Sequence, residues 1–146
     1  MKRILVCLDA SSRAPLVLAA ASTLAGQIGA RLSLLRTVGL PPEIDQEVLV
    51  HAASDVIETM TSTARHDLEA HAKSLSMTEI EGIHVHVGTA WDVICREAKA
   101  LDCDLVILGS HGYSGFDRIL GTTAAKVVNH CDRSVLVVRP HPARHG

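Results

Sequence analysis

Aromatic residues are nearly missing from this chain: its 146 residues include one Trp, one Tyr and one Phe. The core must therefore be packed from aliphatic side chains, which suits parallel strands buried under helices. The same scarcity excludes a base-stacking surface for single-stranded nucleic acid. An excess of one charge is missing too. Fourteen Lys and Arg stand against sixteen Asp and Glu, a formal net charge of −2, and no basic stripe suits a phosphate backbone. Nucleic acid is thus not an expected partner. No apolar run reaches the roughly 18 residues that span a bilayer, so no membrane association is expected. The first strand begins directly after Met1-Lys2-Arg3, which leaves no room for a signal peptide, and a cytoplasmic location follows by default. Cys7, Cys95, Cys103 and Cys131 form no C-x-x-C pair, so free thiols are expected rather than a structural disulfide.

What is present is a glycine-punctuated segment after an apolar run. Leu105-Val106-Ile107-Leu108 leads into Gly109-Ser110-His111-Gly112, and after eight residues, Tyr113 to Leu120, come Gly121-Thr122 and the helix-like Ala124-Ala125-Lys126-Val127-Val128. A buried strand, a glycine loop and a helix start are the parts that hold a phosphate chain. Glycines let backbone N–H groups approach a ligand that a Cβ would exclude. The segment is neither a Walker A sequence nor G-x-G-x-x-G, so its weight comes from its placement. The competing reading is a loop whose glycines only make turns.

The rest of the chain supplies the frame for that loop. Strands are expected at Ile4–Leu8, Leu32–Val38, Ile83–Val87, Leu105–Leu108 and Val135–Val138. Helices lie between them, the first capped by Ser11 or Ser12 with Pro15 in its first turn. Leu16, Ala20, Leu24 and Ile28 mark that helix's buried stripe, and Gly29 ends it. A long polar-rich helix runs over about 45–76, with Glu43 to Val50 as a candidate loop at its start. The third helix fits Trp91 to Leu101, and the last runs to about Cys131. This alternation gives an α/β fold: a single-domain open parallel five-stranded sheet with helices on both faces, Rossmann-like. Residues 1–140 form the domain and 141–146 a loose tail. Strand three alternates Ile83, Val85 and Val87 with His84 and His86, so it belongs near an edge. The order 3-2-1-4-5 satisfies this and reverses direction between strands one and four, where open α/β sheets bind ligands. Asp9 and Gly109 end those two strands.

Asp9 either accepts hydrogen bonds from a ribose or adenine group or bonds the amides of its own loop, and the two roles are compatible. Thr122 either meets a phosphate or Mg²⁺ or simply caps the last helix, with Thr123 beside it. His111, Arg118 and Lys126 are weaker phosphate candidates. His84 and His86 share a strand face, but two ligands lack the third or fourth that zinc requires, so no metal site is expected. Ser110, His111 and Asp117 match no nucleophile-elbow pattern, and no catalytic residue is assigned.

The chain resembles the universal stress protein family over nearly its full length. The resemblance is carried by Arg3-Ile4-Leu5-Val6-Cys7-Leu8-Asp9, Ala30-Arg31-Leu32-Ser33-Leu34-Leu35, Cys103-Asp104 through Gly112, Leu120-Gly121-Thr122-Thr123 through Val128, and Ser134 to Val138. It looks like the ATP-binding branch, whose pattern is G-x-x-G, nine residues, then G-[ST]; here eight residues intervene, so the loop is one residue shorter. The resemblance implies an ATP-binding, homodimeric regulator of the stress response with at most slow hydrolysis, ADP or AMP being alternative occupants and Mg²⁺ an accompanying ion. It implies that Asp9 contacts the nucleoside and that the Thr37 main chain meets the adenine edge. Leu108 and Gly109 would line the base and ribose, while Gly112, Gly121, Thr122 and Thr123 hold the phosphates. Val135–Val138 would pair with its counterpart in the dimer, and a further protein partner is conceivable. The alternative is a dimeric scaffold that recruits partners without nucleotide. A nucleotide-hydrolase enzyme fits poorly, because S-G-G-x-D-S is absent after the first strand, where Asp9-Ala10-Ser11-Ser12 stands.

Overall fold

The computed structural model describes residues 2–39, 46–75, 80–110 and 120–140, with the side chains of the second helix described from residue 54 onward. Five strands, β1 (Arg3–Cys7), β2 (Arg31–Val38), β3 (Ile80–Val87), β4 (Leu105–Gly109) and β5 (Ser134–Val138), alternate with four helices. These are α1 (Ala14–Ile28), α2 (Gln46–Lys73), α3 (Ala90–Ala100) and α4 (Thr122–His130). The sheet is parallel in the order β3-β2-β1-β4-β5, as the apolar patterning predicts.

The central strands β1 and β4 carry uninterrupted apolar runs, Ile4-Leu5-Val6 and Leu105-Val106-Ile107-Leu108, because both their faces are covered. On one face Ile4, Val6, Leu32, Leu34 and Ile107 pack with Val17, Leu18 and Ala21 of α1 and Ala64, Leu68 and Ala72 of α2. On the other, Leu5, Leu35, Val106 and Leu108 pack with Ile94 and Ala98 of α3 and Ala124 and Val127 of α4. Small helix residues at these contacts let the helices approach the sheet closely. Aliphatic packing thus replaces the missing aromatics. All four cysteines are free thiols.

Two helices differ from expectation. The buried positions of α1 are Ala14, Val17, Leu18, Ala21 and Ala25, while Leu16 and Ile28 are exposed. Steps of four residues advance about 40° past a full turn, so a run of fourfold spacings winds off the face; burial mixes threes and fours. The residue before the helix is Arg13, whose N–H donates to Ser11 Oγ at 3.2 Å; the serine closes the preceding turn instead of capping the helix. Helix α2 is already formed at Gln46, so residues 46–50 are helical rather than loop, and 43–45 lie outside the described residues. Gly29 ends α1 in the left-handed conformation, φ 69°. Among the described residues no helix is long and apolar enough to cross a membrane.

Candidate functional site

Strands β1 and β4 are neighbours whose connections leave in opposite directions, α1 towards β2 and α4 towards β5. A crevice of about 480 Å³ opens at their carboxyl ends. Its apolar lining includes Cys7, Val17, Leu35, Ile94 and Leu108, and its polar groups come from Asp9, Ser11, Arg13, Thr37 and Thr123. That volume lies within the roughly 300–1,000 Å³ of small-molecule sites, which combine apolar walls with a few placed polar groups.

Asp9 heads the turn between β1 and α1. Its Oδ1 accepts hydrogen bonds from the Ser11 N–H at 3.0 Å and from Ser11 Oγ at 2.5 Å. The loop-bonding role is therefore real, and it uses one carboxylate oxygen. Behind this turn lies a residue that patterning did not single out. Arg36, buried within β2, donates from Nε to the Leu8 carbonyl at 3.2 Å and from Nη2 to the Asp9 carbonyl at 2.9 Å. Its Nη1 lies 3.3 Å from Asp67 Oδ2 on α2. A planar fork of fixed donors suits this task, because one side chain satisfies several acceptors at set angles. Arg36 thus fixes the backbone that carries Asp9. No sequence motif marks it, since two of its three partners are main-chain carbonyls.

Thr37 of β2, Leu108 and Gly109 of β4 and Thr123 of α4 line the crevice with Asp9. Gly121, the N-cap of α4, and Thr122, its first residue, stand two and one residues before Thr123 without lining the crevice themselves. Gly112, His111, Asp117 and Arg118 lie outside the described residues. The two ends of the glycine segment meet: the Gly121 N–H donates to the Ser110 carbonyl at 3.1 Å, and the Ser110 N–H to the Val138 carbonyl at 3.0 Å. Gly121 has φ −59°, a backbone any residue adopts, so its conformation does not require a glycine. Lys126 stands 5.7 Å from the Trp91 ring centre, which places it over an aromatic face. Gly39, Gly88 and Ala90 also line the crevice; the signal that predicts them is position alone, at the carboxyl ends of β2 and β3. Burial pushes the Cys7 thiol well above the usual thiol range, with the other three cysteines adding to the shift. It stays protonated and is an apolar wall, not a nucleophile.

Fold and crevice together define an open parallel α/β protein with a crevice at the topological switch point. Sequence comparison narrows this further. The universal stress protein family model matches residues 1–139, and the chain belongs to that family. It is 34% identical over 140 residues, 94% of each chain, to universal stress protein A homolog 2 of Coxiella burnetii. Among solved structures it is similar to the universal stress protein UspA of Lactobacillus plantarum, with a TM-score of 0.81 and 24% identity over 94% of this chain and 97% of that one. It is also similar to a universal stress protein solved with cAMP, at TM-score 0.64 and 23% identity over 94% and 96%. The Archaeoglobus fulgidus protein solved with dAMP matches at TM-score 0.59 and 20% identity over 95% and 98%.

Proposed function

We propose that the crevice binds an adenine nucleotide, ATP first with ADP or AMP as alternatives, and that the protein is a homodimeric, nucleotide-responsive regulator of the stress response in the cytoplasm. The observation that carries this reading is the convergence of Asp9, Thr37, Leu108, Gly109 and Thr123 on one crevice at the switch point. The complexes of two similar folds with cAMP and dAMP agree with an adenine ligand. Leu108 and Ile94 offer apolar surface to a base, and Asp9 offers a carboxylate to a ribose. The first turn of α4, where Gly121 makes no side-chain cap, offers N–H groups and the positive dipole end to phosphates. Gly112 would complete the phosphate loop. Mg²⁺ would be held chiefly by the phosphates, with the Thr122 hydroxyl as a protein ligand. Hydrolysis would be slow at most, since no residue is assigned as base or arginine finger.

Strand β5 supports the dimer. It lies at the sheet edge, pairs with β4 on one side and exposes Leu136, and a bare apolar edge invites a matching strand. Sedimentation that finds only monomer at about 100 μM, where even a modest −5 kcal/mol association would show, sinks the dimer.

Calorimetry of nucleotide-free protein with ATP, with and without Mg²⁺, tests the ligand. Micromolar binding, about −8 kcal/mol, is expected. The Gly112→Val and Gly121→Val double variant should lose it while remaining folded. No heat and no protection at millimolar nucleotide would refute the reading and favour the scaffold that recruits partners without nucleotide.

A further inference from the structure

A second group of polar side chains lies on the face of β3 that Glu97 of α3 reaches. His84 and His86 are two residues apart on the strand, so their side chains leave the same face. Glu97 of α3 reaches both: its Oε1 lies 3.6 Å from His84 Nδ1 and its Oε2 2.9 Å from His86 Nε2. The Glu97 side chain is 15% exposed, a carboxylate largely withdrawn from water between two imidazoles. The strand pattern supplies only two donors; the third arrives from the following helix, which spacing along one strand cannot reveal. Gly82 completes the arrangement. A Cβ there would lie 2.9 Å from His84 Nε2, so the missing side chain is what lets the ring sit with Nδ1 towards Glu97. A register shift against β2 just before Gly82 sets Gly82, His84 and His86 opposite Ser33, Leu35 and Thr37, and such shifts commonly re-aim side chains.

We propose that His84, His86 and Glu97 bind a divalent transition-metal ion of the zinc class, with water completing its shell. Two imidazoles and a carboxylate suit Zn²⁺, Ni²⁺ or Co²⁺ better than Mg²⁺ or Ca²⁺, which prefer oxygen alone. Ligands about 2.0–2.1 Å from a tetrahedral ion lie about 3.3 Å from one another. The 2.9 Å from His86 Nε2 to Glu97 Oε2 is near that value, and one donor atom from each of the three residues lies within 4.8 Å of the others, so side-chain rotation closes the set. Three protein ligands leave at least one position open, as in sites that exchange water or substrate. The ion joins β3 to α3 across the Gly88–Ala90 connection, of which Gly88 and Ala90 line the crevice, but the site itself does not depend on the nucleotide reading.

The test is equilibrium dialysis of untagged, metal-stripped protein against Zn²⁺, with metal analysis and Co²⁺ as the optical probe. One ion per chain is expected. His86→Ala and Glu97→Gln should each weaken binding at least about tenfold, because loss of a direct ligand exceeds the loss of its outer-shell support. Gly82→Ala should also weaken it and shift the Co²⁺ bands, although no donor is removed. His66→Ala, at an exposed position on α2, should bind as the parent does, which discounts scattered surface histidines. His86 is nearly half exposed, so its variant keeps the fold, to be checked by circular dichroism. No binding by the parent up to about 1 mM Zn²⁺ overturns the proposal. Undiminished binding by the folded His86→Ala/Glu97→Gln variant overturns it equally.

Discussion

Arg36→Met should be among the most damaging single substitutions in this chain, and the structure gives its size. Methionine keeps the unbranched stem that fills the space under α2, so packing is largely preserved. What is lost is the guanidinium. The Leu8 carbonyl, on a residue only 3% exposed, then loses its donor; stranding a buried acceptor costs about 1–3 kcal/mol. The Asp9 carbonyl belongs to an exposed residue and turns to water, costing about 1 kcal/mol. The ion pair with Asp67 adds little, because Asp67 is 49% exposed and such pairs are worth about 0–1 kcal/mol. Relief from burying a charge works in the opposite direction. Since the carbonyl partners remain in place, the net loss should be about 2–3 kcal/mol, which for a chain of this length lowers Tm by roughly 4–12 °C.

Asp67→Asn discriminates the argument. It removes the half-exposed partner and leaves both carbonyl bonds intact, so it should cost under about 1 kcal/mol. Urea unfolding of both variants reads the difference. If Asp67→Asn cost as much as Arg36→Met, the ion pair would be the main term and the carbonyl argument would fail. If Arg36→Met were as stable as the parent, burial of the guanidinium would have cancelled its bonds. Because Arg36 holds the turn that bears Asp9, Arg36→Met should also weaken ATP more than Asp67→Asn does.

Two glycines on positive φ separate strain from crowding. At Gly29, φ +69°, a Cβ meets nothing within 4 Å, so Gly29→Ala should cost only the left-handed backbone penalty of about 1–2 kcal/mol; at Gly88, φ +152°, it would lie 2.9 Å from Val93 Cγ2, and Gly88→Ala should cost measurably more in the same urea assay. Equal losses would discard the steric part. Burial pushes the Cys103 thiol from 9.0 up to about 11, with Glu81 adding to the shift and Arg133 and Arg3 opposing it. A thiol pKa raised by folding stabilises fully below pH 9 and progressively less as pH rises through 11, since the unfolded chain ionises first. Unfolding midpoints should therefore fall over pH 9–11, less steeply in Cys103→Ala, and parallel profiles would contradict this.

The sheet was legible because burial on both faces writes strands as uninterrupted apolar runs, as in Ile4-Leu5-Val6 and Val106-Ile107-Leu108. Strand order then followed from one contrast, the half-wet His84 and His86 against those runs, and strand order located the crevice. The phase of α1 is not legible because its buried face is made of three alanines with Val17 and Leu18, while the larger Leu16 and Ile28 face outward; residue size misleads where helices approach a sheet closely. Arg36 and Glu97 were invisible for a different reason. Each acts on partners brought together only by folding, two backbone carbonyls in one case and two histidines of another element in the other.

The frame around the crevice has a common construction. Backbone hydrogen bonds continue beyond the strands themselves: Leu8 N–H to Leu35 O at 2.9 Å, Gly88 N–H to Val38 O at 3.0 Å, and Ser110 N–H to Val138 O at 3.0 Å. Each ties the tip of one strand to its neighbour, and Gly121 N–H to Ser110 O at 3.1 Å ties the start of α4 to the end of β4. Arg36 does the same with a side chain. A rim so fixed loses little conformational freedom when a ligand arrives, and reduced ordering cost is a direct contribution to affinity. Under the proposed function, discrimination between nucleotides falls to the polar side chains that line the crevice, Asp9, Thr37 and Thr123, so Arg36→Met should weaken all nucleotides alike, whereas a substitution at one of those three should change their ranking.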